Sequence, residues 1–247
     1  MNTRSAPQAP IPLTPHPSPL TVIGHRGAAG HAPENTLLSI DTAIRLGAPW
    51  VEVDVQHHDG ELWLLHDLTL DRTTNGKGPL TALTAAQLRR LDAGGGETIP
   101  TLREALDLID QRVGLNIELK SWDGCAAAVS AVLRDGLAGG WPAERFMVSS
   151  FHLPELWEFK QLLPEIPLGV LYCGVPLDWA GIAAEFGAVA LNISAEFVDT
   201  RLIADAHARG LQLNVYTVND PVELRLMREL GVDGVFTDYP DRALAIA

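Results

Sequence analysis

Between Glu52 and Asp67 the sequence reads EVDVQHHDGELWLLHD, which puts two carboxylates, a tight-turn dipeptide and a histidine in one short run. Glu52 and Asp54 alternate with valines in VEVDV. On a strand, residues i and i+2 project to the same face. The two carboxylates therefore point together, and like charges that close need a cation or a proton between them. Asp59-Gly60 is a strong hairpin signal between extended runs. With that pair at the turn centre, His58 faces Glu61, Leu65 faces Asp54 and His66 falls opposite Val53. The chain thus returns a titratable imidazole to the carboxylate pair, and one local structure can assemble a metal site with an acid–base group beside it.

Other polar residues end other apolar runs. His25 and Arg26 close LTVIG, and Glu118 and Lys120 end GLNIELK. Ser149, Ser150 and His152 flank a third such end, Tyr216 and Asn219 a fourth, and Asp238 follows the last. Glu52, Asp54 and Glu118 together suit one hard divalent cation, Mg²⁺ or Ca²⁺. His25 and His66 suit general acid–base work near neutral pH. Arg26 and Lys120 suit an anion such as a phosphate. The set describes metal-assisted hydrolysis of a phosphate ester. Each member alone has a plainer reading. A Glu-x-Asp pair is commonly a solvated face, a histidine after a strand commonly a cap, and Lys120 can simply pair with Glu118. The loop Gly27 to Gly30 alone is a weak phosphate signal. His57 and His58, beside the turn, are expected to be exposed. His31, His152 and His207 are read as loop or surface residues, with His152 a lesser site candidate. Convergence decides the matter, because burying these groups singly would be costly.

The elements that must position them alternate. Apolar strands are expected at 20–24, 50–56, 114–120, 145–151, 168–172, 189–193, 211–218 and 232–237. Helices fall between them: one opened by Pro33-Glu34-Asn35-Thr36, then 101–112, 123–135, 153–163, 177–186, 199–209 and 221–230. Thr101 with Glu104 fits a capping box, and Asp220-Pro221 an N-cap with proline in the first turn. Eight such strands predict an α/β fold, a closed TIM (β/α)8 barrel with its site at the strands' C-terminal ends. An open doubly wound sheet fits less well, since no GxGxxG loop follows a strand. The stretch at about 57–96 breaks the alternation, with a hairpin, a turn at 73–76 and a short helix at 84–91. It reads as a small insertion after the second strand.

Composition narrows the function classes. The 247 residues allow one large domain, and 47% of them are apolar. With 18 basic against 31 acidic residues, the formal charge is −13. That excludes a sequence-independent nucleic-acid binder, and an anionic substrate would need local help from a metal, arginine or lysine. Cys125 and Cys173 lie in apolar surroundings without zinc spacing and are expected to be buried thiols. Residues 1–19 read as a flexible proline-rich tail, and 20–247 as the barrel domain. No segment is long and apolar enough to span a bilayer. A cytoplasmic protein without stable membrane insertion is the expectation.

These motifs, taken together, resemble the glycerophosphodiester phosphodiesterase family. Its opening pattern stands here as His25-Arg26-Gly27 and Pro33-Glu34-Asn35-Thr36. Its second block stands as Glu52-Val53-Asp54-Val55, Asp59-Gly60, His66-Asp67 and Leu70-Asp71-Arg72-Thr73-Thr74, and its third as Glu118-Leu119-Lys120. The resemblance runs from about residue 22 to 240. It implies a TIM-type barrel related to phosphatidylinositol-specific phospholipases C. It also implies metal-dependent hydrolysis of glycerophosphodiesters, such as glycerophosphocholine or glycerophosphoethanolamine, to sn-glycerol 3-phosphate and an alcohol. By matching positions, Glu52, Asp54 and Glu118 would bind the metal and His25 and His66 would form the acid–base pair. Arg26 and Lys120 would hold phosphoryl oxygens, with Glu34 ordering the metal or glycerol side. Tyr216 stands where the family often has tryptophan, an aromatic wall for the head group. A lyase-type route through a cyclic phosphate is an alternative. A non-catalytic phosphate-binding barrel is disfavoured, because both histidines and all three carboxylates are present.

Overall fold

The computed structural model describes residues 19–122 and 124–247. The expected tail at 1–19 therefore lies outside the described residues except for Pro19. In chain order the elements are β1 (Thr21–Gly24), α1 (Leu37–Leu46), β2 (Trp50–His58), β3 (Glu61–Leu64), α2 (Ala85–Leu88), α3 (Leu102–Ile109) and β4 (Gly114–Leu119). They continue with α4 (Cys125–Ala138), β5 (Phe146–Ser150), α5 (Leu153–Leu162), β6 (Leu168–Tyr172), α6 (Gly181–Glu185) and β7 (Ala190–Ser194). The last are α7 (Thr200–Ala208), β8 (Gln212–Tyr216), α8 (Pro221–Leu230), β9 (Gly234–Thr237) and α9 (Pro240–Leu244).

The sheet runs β1-β9-β8-β7-β6-β5-β4-β2-β3, and β1 also pairs with β2. That second pairing closes eight parallel strands into a TIM barrel and leaves β3 outside as the antiparallel partner of β2. The hairpin has the predicted register, with His58 opposite Glu61 and the Leu65 amide donating to the Asp54 carbonyl. Alternation along each strand then sorts the side chains. Val51, Val53 and Val55 on β2, and Leu115, Ile117 and Leu119 on β4, are buried in the apolar layer shared with the helices. Their neighbours Glu52, Asp54, Asn116 and Glu118 take the opposite face, toward the barrel axis. Parallel register sets Glu52 beside Asn116, Asp54 beside Glu118, and Glu118 beside Ser149.

Residues beyond the hairpin form a smaller core of their own, built on Trp63, Leu65, Leu70, Leu80, Leu88, Ala93 and Ile99. The insertion after the second barrel strand is thus a packed unit. Several elements differ from their expected bounds. The helix expected at 84–91 shortens to α2, capped by a Thr84–Gln87 capping box. The helix expected at 177–186 is only α6, because Trp179 takes a positive φ of 46° that a right-handed helix does not accept. The helix expected at 123–135 runs on to Ala138. Of the two cysteines, both free, Cys125 is buried as expected but Cys173 is exposed. It follows the last residue of β6, where the chain has left the apolar layer.

Phe146, at the start of β5, is fully buried and stacks on Trp141 at 4.8 Å between ring centroids. Phe146→Ala is expected to cost about 3–5 kcal/mol, as for other buried aromatic truncations. Urea unfolding checks this. A midpoint within experimental error of the parent would contradict the packing described.

Candidate active site

The centre of the site is an acidic trio. Oxygens of Glu52, Asp54 and Glu118 lie within 4.8 Å of one another. Glu52 and Asp54 are each only 1% exposed. Burial, then the charges of Asp54 and Glu118, raises the Glu52 carboxyl well above the usual range. Burial and Asp54 push Glu118 up to about 7, against the counter-pull of Lys120. Glu52 Oε2 accepts from the Arg26 amide at 2.8 Å. Among the described residues, its buried Oε1 has no hydrogen-bond partner. Three convergent carboxylates, all hard oxygen donors, with one buried oxygen unclaimed, fit a divalent cation of the Mg²⁺ or Ca²⁺ kind.

The loop after β1 wraps this trio. Arg26 adopts φ 50° and Gly27 φ 88°, and a Cβ at Gly27 would fall 2.4 Å from Ser39 Oγ. Only glycine lets the chain pass so close to α1. The turn sends the Arg26 guanidinium between Glu34 (Nη1 to Oε1, 2.6 Å) and Asp54 (Nε to Oδ2, 3.1 Å). Asn35, also at positive φ, grips Asp54 twice. Its Nδ2 donates to Asp54 Oδ2 at 2.8 Å, and its Oδ1 accepts from the Asp54 amide at 3.1 Å. On the other side Lys120 Nζ donates to Glu118 Oε1 at 2.7 Å and stands 3.6 Å from Asp54 Oδ1.

Two histidine–aspartate pairs flank the trio. His25 Nδ1 meets Asp238 Oδ1 at 2.7 Å, and Asn219 Nδ2 donates to Asp238 Oδ2 at 2.6 Å. Barrel closure makes this pair, since β9 runs beside β1 and the His25 amide donates to the Thr237 carbonyl. Burial opposes ionisation of Asp238, but the hydrogen bond and charge of His25 hold its carboxyl below the usual range. His66 Nδ1 meets Asp67 Oδ1 at 2.6 Å. Asp67 in turn accepts from Arg72, which also donates twice to Glu34. Glu34 thus joins Arg26 of the first loop to Arg72 of the insertion. Burial lowers the His66 pKa, against the pull of Asp54 and Asp67. In both pairs a carboxylate engages Nδ1, which leaves Nε2 as the nitrogen free to exchange a proton.

A cavity of about 180 Å³ opens between these groups. His25, Arg26, Glu52, His66, Glu118, Lys120 and Tyr216 line it, together with Asn116, Phe151, Leu171, Thr217 and Phe236. Tyr216 donates to the Tyr172 carbonyl at 2.9 Å, and its ring meets Phe151 edge-on at 5.6 Å. The structure therefore brings together all nine residues picked from the sequence (His25, Arg26, Glu34, Glu52, Asp54, His66, Glu118, Lys120 and Tyr216), with Asp54 and Glu34 behind the cavity wall rather than on it.

The remaining histidines among the described residues lie elsewhere. His58 is half-buried rather than exposed and meets the Leu83 carbonyl, because the insertion folds over the hairpin. His57 is half-buried too. His31 pairs with Asp241 and His207 with Asp233. His152 caps α5 and stacks on Trp122. The sequence alone points to no role for Asn35, Asp67 or Arg72. Their signal was adjacency to the chosen motifs, but nothing in the chain order says that Arg72 reaches Glu34.

An acidic centre on the C-terminal rim of a TIM barrel, flanked by two imidazoles and the cations Arg26 and Lys120, defines a phosphodiester-cleaving class of enzyme. The sequence model of the Glycerophosphoryl diester phosphodiesterase family matches residues 25–242. A glycerophosphodiester phosphodiesterase of Bacillus altitudinis is 36% identical over 91% of this chain and 97% of its own length. One from Caldanaerobacter subterraneus subsp. tengcongensis is 35% identical over 89% and 94%. Among solved structures, an Oleispira antarctica phosphodiesterase in complex with the product sn-glycerol-3-phosphate superposes with a TM-score of 0.85 at 36% identity, covering 92% of this chain and 96% of its own. A glycerophosphodiester phosphodiesterase from Agrobacterium tumefaciens gives 0.78 at 31% identity, covering 92% and 100%. The chain belongs to the glycerophosphoryl diester phosphodiesterase family and is a phosphoric diester hydrolase.

The trio makes the cation-free protein sensitive to pH. Unfolded carboxyls ionise near their usual values, whereas Glu118 in the fold holds its proton up to about 7. Between those values the folded state binds more protons, so stability falls as pH rises. A divalent cation relieves the exposed repulsion and competes with the protons. The gain in Tm from saturating Mg²⁺ over chelator is therefore expected to be larger at about pH 8 than at about pH 5.5. Scanning calorimetry at both pH values checks this, and a gain that ignores pH would put the cation away from the trio.

Proposed function

We propose that this enzyme hydrolyses glycerophosphodiesters, such as glycerophosphocholine or glycerophosphoethanolamine, to sn-glycerol 3-phosphate and an alcohol. The observation that carries the reading is the pair of histidine–aspartate contacts facing one cavity across a buried carboxylate trio. The product named for the Oleispira antarctica relative supports the choice of diester.

In this reading Glu52, Asp54 and Glu118 hold one divalent cation, Mg²⁺ or Ca²⁺. When bound, it supplies positive charge against the phosphoryl group. Arg26 and Lys120 turn toward the non-bridging oxygens and stabilise charge building on phosphorus. One of His25 and His66 takes a proton from the nucleophile, and the other gives one to the leaving alcohol. Asp238 and Asp67 stabilise the imidazolium when its turn comes. Burial shifts the His66 ring toward its neutral form, against the pull of Asp54 and Asp67. Glu34 orders Arg26 on the glycerol side, and Tyr216 with Phe151 forms an aromatic wall for the head group. In this reading the enzyme works in the cytoplasm, where two cysteines without a disulfide stay reduced. No helix among the described residues is long and apolar enough to cross a membrane.

Release of glycerol 3-phosphate from glycerophosphocholine tests the reading, run with Mg²⁺, with Ca²⁺ and with chelator. Activity is expected only with a cation, and His66→Ala should lower turnover by about two to four orders of magnitude while cation binding persists. Cation-independent release, or a folded variant with parental turnover, would remove the assignment it concerns.

A further inference from the structure

Glu52, Asp54 and Gln56 share one face of β2, but Gln56 lies past the carboxylates, where the strand runs on into the hairpin. It is 3% exposed and uncharged. Its side-chain nitrogen Nε2 donates to the Leu65 carbonyl at 2.9 Å and to the Asp67 carbonyl at 2.6 Å. Those two carbonyls belong to the residues on either side of His66. The returning strand β3 ends at Leu64, and the Leu65 amide makes the last ladder bond, to Asp54. Beyond that point the sheet no longer fixes the backbone, and the primary amide of Gln56 spans the gap with both of its N–H groups. Only a side chain with two donors on one atom and this reach can do so. A carboxylate offers no donor, and a thioether none.

We infer that Gln56 is a positioning residue for His66. It clamps the chain before and after the imidazole and so sets where Nε2 sits over the acidic trio. The Asp67 contact fixes the ring's tautomer and rotation, while Gln56 fixes the backbone from which the ring hangs. The inference rests on the proposed acid–base role of His66. A displacement of about 1 Å in such a group can cost about a hundredfold in rate.

The test is a double-mutant cycle on the full chain with Mg²⁺ and glycerophosphocholine, using the parent, Gln56→Met, His66→Ala and the double variant. Gln56→Met keeps length and volume and removes both donors. Its kcat is expected to fall about ten- to a hundredfold, with KM within about threefold and cation binding unchanged. In the His66→Ala background the same substitution should change turnover by less than about twofold, because the group it positions is gone. An equal loss in both backgrounds, or parental kcat in Gln56→Met, overturns the inference. A second readout does not depend on turnover. The His66 ring Cε1–H NMR signal, assigned with His66→Ala, should shift or broaden in Gln56→Met while that of His25 stays. An unmoved His66 signal overturns the inference on its own. If His66→Ala alone turns over normally, the acid–base reading of His66 fails, and the NMR signal still decides whether Gln56 holds the ring. Should Gln56→Met not fold, Gln56→Asn, whose shorter amide reaches only one carbonyl, is expected to show the same pattern to a smaller degree.

Discussion

Three carboxylates packed out of water around one point are the constraint on which the rest of this structure depends. Like charges in a low-dielectric setting are costly. The fold answers with a ring of compensating groups: Arg26 and Asn35 on Asp54, the Arg26 amide on Glu52, and Lys120 on Glu118. They come from the loop between β1 and α1 and from the end of β4, so the repulsion at the centre ties that loop, β2 and β4 into one arrangement. The positive φ values at Arg26, Gly27 and Asn35 are the backbone's share of that tie. They bend a short loop tightly enough that Arg26 and Asn35, nine positions apart in the chain, reach the same aspartate.

A second layer of charge surrounds the first. Glu34 sits between Arg26 and Arg72, and Arg72 also holds Asp67 beside His66. Arg72 is about half exposed, so its ion pairs are screened by solvent and count for geometry more than for stability. Their geometric effect is to fasten the insertion to the first loop. His25 needs no such fastening. Its aspartate arrives through barrel closure, on a loop that the parallel pairing of β1 and β9 already holds in place.

Much of this was legible in the chain. Strand alternation around VEVDV put Glu52 and Asp54 on one face, and the Asp59-Gly60 turn fixed the hairpin register, because both depend on local geometry alone. The barrel followed from repetition of apolar strands and helices. What stayed hidden depends on long-range placement. Arg72 and Glu34 are 38 positions apart, and His25 and Asp238 are 213 apart. Asp238 could be placed at a strand end, yet its contact with one particular histidine could not be read. The exposure of Cys173 and the shortness of α6 are hidden for a related reason. Apolar composition marks a segment as able to be buried, but loop geometry, such as the positive φ at Trp179, decides whether it is.

The two cores divide this enzyme unequally. The barrel carries the carboxylates and His25, whereas His66 lies between Leu65 and Leu70 of the smaller cluster built on Trp63. Proteins open locally in roughly contiguous cooperative units, and an insertion with its own small apolar cluster is a candidate for one that opens below the global free energy. Excursions of the insertion would withdraw one imidazole and leave the acidic centre standing. With the acid–base role proposed for His66, warming would then switch the catalyst off reversibly below the temperature at which the barrel melts, and the thermal limit of activity would belong to the insertion rather than to the whole chain.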